Sequence, residues 1–164
     1  MNKEQLQQKI VDIEKQLAEL KKELEKKDNG IWKPQRREQY HFIEIDGELD
    51  CSYYTQHKVD EDRFAFGNYY KTRKEAEKMA NYLKYTNLLR KYVEEHSEPI
   101  DWNNRIQQKY YLWLNVDPYR VQIGSNNWAR QQGTIYASSE EVLREAIEFV
   151  GEENLKKYVF QVEE

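Results

Sequence analysis

Two short segments set tryptophan beside amides and carboxylates: Ile100-Asp101-Trp102-Asn103-Asn104 and Ser125-Asn126-Asn127-Trp128. An indole offers a flat apolar face, and a neighbouring carboxamide offers both a donor and an acceptor. Trp102, Asn103, Asn104, Asn127 and Trp128 therefore form one candidate binding group, suited to a nucleobase or to a partner's loop. The same residues also build turns, in which Asn and Asp bond their own backbone and Trp plugs the edge of a core. A second candidate group is cationic. Within residues 71–91, seven Lys or Arg stand against two Glu, and Tyr82, Tyr85 and Tyr92 lie nearby. Lys74, Lys78, Lys84 and Lys91 are its candidates for phosphate contact. From residue 138 onward the balance reverses, with three Lys or Arg against eight Glu. Mutual neutralisation of these two patches, within a chain or between chains, is the favoured reading over nucleic acid.

Catalytic chemistry is sparse. Counting outward from a hairpin turn at Asp46-Gly47 places Cys51 opposite Phe42, as a small core residue, with His41 on the other face. His57 and His96 fall in loops, and Asp60-Glu61-Asp62 reads as a solvated loop triplet. Three His and one Cys cannot build a Cys-rich zinc site. Phosphate-cradling and nucleophile-elbow glycine motifs do not occur, and each of the six Gly falls at a turn or a helix end. The expectation is a protein without catalytic residues, metal or cofactor.

The elements that must carry these residues are legible from periodicity. Leu6, Ile10, Ile13, Leu17, Leu20 and Leu24 are spaced four, three, four, three, four, the a/d pattern of a coiled coil. Almost everything between them is charged or amide, with seven Lys against seven acids over residues 3–28. Asn29-Gly30 supplies a left-handed stop. So narrow a stripe calls for a partner helix, which predicts homo-oligomerisation through residues 3–28. The alternative is a helix folded back on its own domain.

Beyond Gly30 the period shortens. Residues 39–45 and 48–55 read as a hairpin and 63–70 as a third strand. Thr72 with Glu75 forms a capping box for a helix whose stripe is Ala76, Met79, Ala80, Leu83, Leu89 and Val93. The order then recurs. Strands are expected at 109–116, 119–124 and 128–137, followed by a helix opened by Ser138 with Glu141 and closed by Gly151, and by a short helix over 152–158. Gly67, Tyr70, Thr72, Glu75 and Ala80 lie over Gly133, Tyr136, Ser138, Glu141 and Ala146 at one offset, and Tyr40 to Ile43 lie loosely over Tyr110 to Trp113. The predicted class is α+β: a coiled-coil helix (1–29), then tandem β-β-β-α halves (30–99 and 100–164) with antiparallel strands in one sheet or two.

Composition narrows the class further. Charged residues make up 34% and hydrophobic ones 38%, and the net charge is −4, which disfavours non-specific DNA binding. No apolar run approaches the ~20 residues of a membrane span. The opening residues lack a signal-peptide pattern, and a single Cys suits the cytoplasm.

Across residues 32–160 a string of motifs resembles a group of small phage and prophage proteins of Gram-positive bacteria. It runs Trp32-Lys33-Pro34, Tyr40, Asp46-Gly47, Gly67-Asn68-Tyr69-Tyr70-Lys71-Thr72, Glu75-Ala76-Glu77 and Ile100-Asp101-Trp102-Asn103-Asn104. It continues with Lys109-Tyr110-Tyr111, Gly133-Thr134-Ile135-Tyr136, Ser138-Ser139-Glu140, Gly151-Glu152-Glu153 and Lys156-Lys157-Tyr158. The coiled-coil helix is an addition that members need not share. The resemblance carries over no catalytic residue. It implies a non-enzymatic binding protein acting in the host cytoplasm that inhibits a bacterial antiviral defence system. The captured partner is a host defence protein or complex, in the manner of an anti-CRISPR, or its nucleotide signal. A nucleic-acid-binding accessory protein and a virion structural or assembly factor are the alternatives.

Overall fold

The structure, a computed structural model, describes residues 3–27 and 31–162, with side chains in the first helix described for residues 5–20. The class is α+β. Helix α1 (Lys3–Lys27) is built from strong helix formers, Lys, Glu, Gln and Leu, without Gly or Pro. Every side chain from 5 to 20 is exposed, Leu6, Ile10, Ile13, Leu17 and Leu20 included, so this stripe does not fold back on the globular part. The side chain of Leu24 and the Asn29-Gly30 stop lie outside the described residues.

Strands β1 (Gln39–Ile43) and β2 (Leu49–Tyr53) pair antiparallel. Their turn is longer than expected. Glu44 N–H donates to Glu48 O and Gly47 N–H to Glu44 O, leaving Ile45-Asp46-Gly47 as a three-residue loop with Gly47 at φ +89°. This is the arrangement in which a type I turn ends on a left-handed glycine. The extra residue moves the register by one, so Cys51 faces His41 rather than Phe42 and is exposed rather than in the core.

The expected strand over 63–70 does not form: its first three residues end helix α2 (Lys58–Ala65), and the rest is a turn and irregular chain up to Tyr70. His57 Nδ1 accepts from Val59 N–H, and Asp60 reaches back to His57 N–H. Asp60 is buried, and its carboxylate also accepts from Tyr40 Oη at 2.7 Å, Thr55 N–H at 2.8 Å and Thr55 Oγ1 at 2.9 Å. Burial works against its charge. The Thr55 N–H, the Tyr40 and Thr55 hydroxyls and the His57 N–H outweigh that and hold its pKa below the ordinary value. The acidic triplet is thus part of a helix cap rather than a loop. Arg63 stacks on Phe42, 3.3 Å from the ring centroid, and donates to Tyr40 Oη. Lys33 pairs with Glu61 at 3.1 Å, and Glu61 also accepts from the Tyr54 hydroxyl; these two contacts hold the Glu61 pKa down.

After Gly67 (φ +71°) the chain meets β1 again without forming a strand. The Asn68 carboxamide bonds both Ile43 N–H and Ile43 O, and Tyr70 exchanges backbone bonds with His41. One side chain and one bridge replace the third strand.

Helix α3 (Arg73–His96) opens on the expected Thr72–Glu75 capping box and ends at Ser97. Ala76, Leu89 and Val93 are buried, whereas Met79 and Leu83 are exposed. Those two line an open groove of about 640 Å³ with Phe42, Ile43 and Phe66.

The second half matches its pattern more closely. Strands β3 (Lys109–Val116), β4 (Tyr119–Asn126) and β5 (Tyr136–Ala137) form an antiparallel sheet ordered β4-β3-β5, separate from β1-β2. Of the expected strand over 128–137 only the last two residues pair. The remainder is a loop tied internally: Asn126 Oδ1 accepts from Ala129 N–H, and Tyr136 Oη accepts from Gln131 N–H. Both halves keep one topology, a hairpin whose first strand is joined by a third segment just before a helix. The His41–Tyr70 bridge and the Tyr111–Tyr136 pair occupy equivalent places in it.

Helix α4 (Glu140–Val150) is capped by Ser139, not Ser138, and ends at Gly151 (φ +88°). Ser138 is otherwise engaged: its N–H donates to Ser97 Oγ at 2.7 Å, and its Oγ accepts from Glu98 N–H at 3.0 Å. Helix α5 (Glu152–Asn154) and a π turn (Leu155–Val159) stand where one short helix is expected. The main core joins Leu89 and Val93 of α3 to Val142, Leu143, Ala146 and Val150 of α4, with Ala137 and Leu155. Tyr40, Phe42 and Tyr54 form a smaller one. α3 touches both sheets and is the spine between them.

Candidate functional site

Lys109 opens β3 with its side chain fully buried. Its ammonium donates to three backbone carbonyls, Asn104 at 2.7 Å, Gln107 at 2.8 Å and Asn127 at 3.3 Å. A buried cation needs partners, and three carbonyl dipoles supply them here. The consequence is positional, because both Trp–Asn segments are drawn to one end of the β3–β4 hairpin.

Within these segments most polar side chains build turns. Asp101 Oδ1 accepts from Asn103 N–H at 2.9 Å, and Asn104 Oδ1 accepts from Ile106 N–H at 2.9 Å and Gln107 N–H at 3.2 Å. Asn127 contributes its carbonyl to Lys109. Asn103 is exposed, and Trp128 is 82% exposed.

Trp102 is the member of the group that faces a cavity. It is 36% exposed, and its ring meets Tyr136 edge to face, centroids 5.0 Å apart at 87°. The guanidinium of Arg130 lies 5.0 Å from the Trp102 centroid and Lys109 Nζ 5.7 Å. The cavity is an open cleft of about 590 Å³ between the C-terminal end of α3 and the 127–135 loop. Arg90, Glu94 and Glu98 line it from α3 and its end, Arg130 and Thr134 from the loop. Tyr136 Oη fixes that loop by accepting from Gln131 N–H at 3.0 Å and donating to Ala129 O at 3.4 Å. Gly133, at φ +78°, turns the loop along the cleft wall in a conformation that suits glycine. Chemically, the cleft joins the Trp102 indole to two guanidinium groups and two carboxylates.

Compared with known family models, curated proteins and solved structures, the chain matches none.

The second candidate group is placed differently. Lys74, Lys78, Lys84 and Lys91 are all exposed on α3, but at 3.6 residues per turn they occupy two flanks roughly 100° apart. Lys91 pairs with Glu95 at 3.8 Å, and Lys84 Nζ lies 5.4 Å from the Tyr85 ring centroid. The expected ionic match with the acidic C-terminal half takes another form within the chain. α3 meets α4 through Tyr92, which packs on Phe149 and donates to Glu145 at 3.1 Å, and Tyr85 stacks on Tyr158 at 4.8 Å. Burial first, then the bond to Glu145, holds the Tyr92 phenol above its ordinary pKa.

Sequence reasoning missed Arg90, Arg130 and Tyr136. Arg90 was only one charge in a basic run, and Arg130 had no local partner to mark it. Their meeting depends on packing. Among the described residues no group of three or more His, Cys, Asp or Glu is arranged to hold a metal ion, and no helix is long and apolar enough to cross a membrane.

Proposed function

We propose that this chain is a non-enzymatic binding protein, assembled into a homo-oligomer through α1, that inhibits a bacterial antiviral defence system in the host cytoplasm. It does so by capturing an effector protein or the nucleotide that signals to it. The observation that carries this reading is the free a/d stripe of α1. Leu6, Ile10, Ile13, Leu17 and Leu20 stand exposed on one helix, an arrangement that costs free energy until a second helix covers it. An oligomer displays several copies of the cleft, and linked sites gain avidity without new contacts. The choice of target rests on the resemblance to phage and prophage proteins.

The first experiment is light scattering on the full chain and on an Ile10→Glu, Leu17→Glu double variant. A dimer or larger particle that the variant reduces to a monomer supports assembly through α1; an unchanged mass contradicts it. The second measures phage plating on Gram-positive cells carrying defined defence systems, with and without the protein. Restored plating on one system supports inhibition, whereas purification of the protein with virions and no plating effect points to a virion role.

A further inference from the structure

We propose that the cleft beneath Trp102 is a binding site for a free nucleoside phosphate, with the base against Trp102 and the phosphate between Arg90 and Arg130. This rests on the capture reading above and names the ligand class of that site.

Size permits it. A cleft of about 590 Å³ falls within the ~300–1,000 Å³ range of small-molecule sites. The aromatic wall is held in place before any ligand arrives. Tyr136 supports the Trp102 ring edge-on, and Arg130 lies against it at 5.0 Å. A ring held in this way costs little to order on binding.

Charge then selects the ligand. Among the described residues neither Arg90 nor Arg130 makes an ion pair, whereas Lys33, Arg63, Lys91, Arg144 and Lys156 do. Two unpaired guanidinium groups lining one cleft favour an anion, and their planar donor fork matches phosphate. An inorganic anion would leave Trp102 unused. It would also leave Glu94 and Glu98 facing a like charge. A nucleotide uses all three features: the base edge donates amino hydrogens to a carboxylate, its face covers the indole, and the phosphate takes the arginines. A long nucleic-acid strand fits less well. The net charge is −4, two carboxylates line the cleft, and the exposed lysines of α3 lie on separate flanks rather than in one track.

The test is calorimetric titration of the full-length protein with ATP, GTP and cyclic di-AMP, and with inorganic phosphate and a ten-nucleotide oligothymidine as contrasts. Arg90→Gln and Trp102→Phe report on the cleft, and Lys84→Gln on the remote flank. Circular dichroism confirms that each variant folds. Saturable binding of at least one nucleotide is expected, weakened about tenfold or more by Arg90→Gln and unchanged by Lys84→Gln. Absence of saturable binding up to about 1 mM for every nucleotide would overturn the proposal. So would phosphate binding as tightly as the best nucleotide, or tighter oligothymidine binding that collapses with salt. Phage plating is read separately. Nucleotide binding without rescue of plating removes the anti-defence reading and leaves this site standing. Rescue without nucleotide binding does the reverse.

Discussion

Lys109 donates to the carbonyl of Asn127 across 3.3 Å, and through that bond joins two loops that are far apart in sequence. The same ammonium holds Asn104 and Gln107, so one buried cation organises the floor on which Trp102 stands. Replacing it with Met keeps the stem and removes the charge. Lys109→Met should lower stability by about 2–4 kcal/mol, since three part-buried carbonyls lose a charged donor. Urea denaturation measures the loss. Hydrogen exchange should quicken in residues 101–108 and 127–135 before the helices respond, and uniform protection in both loops would contradict this role.

Gly124 and Tyr111 are cross-strand partners. A methyl placed on Gly124 would sit 2.8 Å from Tyr111 Cζ. The glycine therefore leaves room for the tyrosine ring across the sheet. Gly124→Ala should cost about 1–3 kcal/mol through overpacking, and Tyr111→Leu in the same chain should recover part of it. Thermal denaturation of the four proteins closes the cycle. Additive effects would mean that the ring moves aside freely.

Asp60 gives the first half an acid-sensitive lock. Its carboxyl titrates lower in the folded protein than its ordinary 3.8, so the stability it contributes is present above that value. It is lost as pH falls through the folded value. Stability measured from pH 7 downward should therefore drop more steeply in the wild type than in Asp60→Asn. At pH 7 the variant should be weaker by about 1.5–3 kcal/mol, the scale of hydrogen bonds to a charged group. Parallel curves for the two proteins would show that Asp60 is not the source.

The Tyr136 hydroxyl anchors the 127–135 loop through Gln131 and Ala129, while its ring supports Trp102. Tyr136→Phe removes the anchor and keeps the support. A loss of about 1 kcal/mol is expected, with faster exchange confined to that loop. Nucleotide affinity should fall by less than in Arg90→Gln, because the loop is loosened without losing a ligand contact. A fall equal to that of Arg90→Gln would indicate that the hydroxyl itself meets the ligand.

Local signals in the chain were reliable where one short-range interaction dominates. The heptad spacing from Leu6 to Leu20 is a helix with one exposed stripe, Thr72 and Glu75 form their capping box, and β3 runs over the expected residues. Gly151 ends α4 in a backbone region where other residues are strained. Each of these depends on side chains within a turn or two of the backbone they serve.

Where a distant group competes, local pattern was insufficient. Residues 63–70 carry a strand-like alternation, yet His57 is an unusual cap, and the buried Asp60 is satisfied by Tyr40 and Thr55. Asn68 substitutes a carboxamide for a strand's backbone, and Ser138 gives its hydroxyl to the end of α3, passing the cap to Ser139. The cleft follows the same logic. Trp102 is legible as a candidate because tryptophan beside amides is unusual chemistry in any chain. Its partners Arg90, Arg130 and Tyr136 are brought to it by α3–α4 packing and by one lysine bonding carbonyls from both loops. The sequence by itself determined α1, α3, α4, the two hairpins and the aromatic candidate, because those follow from periodicity and capping. Tertiary structure alone decided the first hairpin's register, the loss of the third strand in the first half and its shortening in the second, and the membership of the cleft, because buried polar groups take whichever distant partner satisfies them.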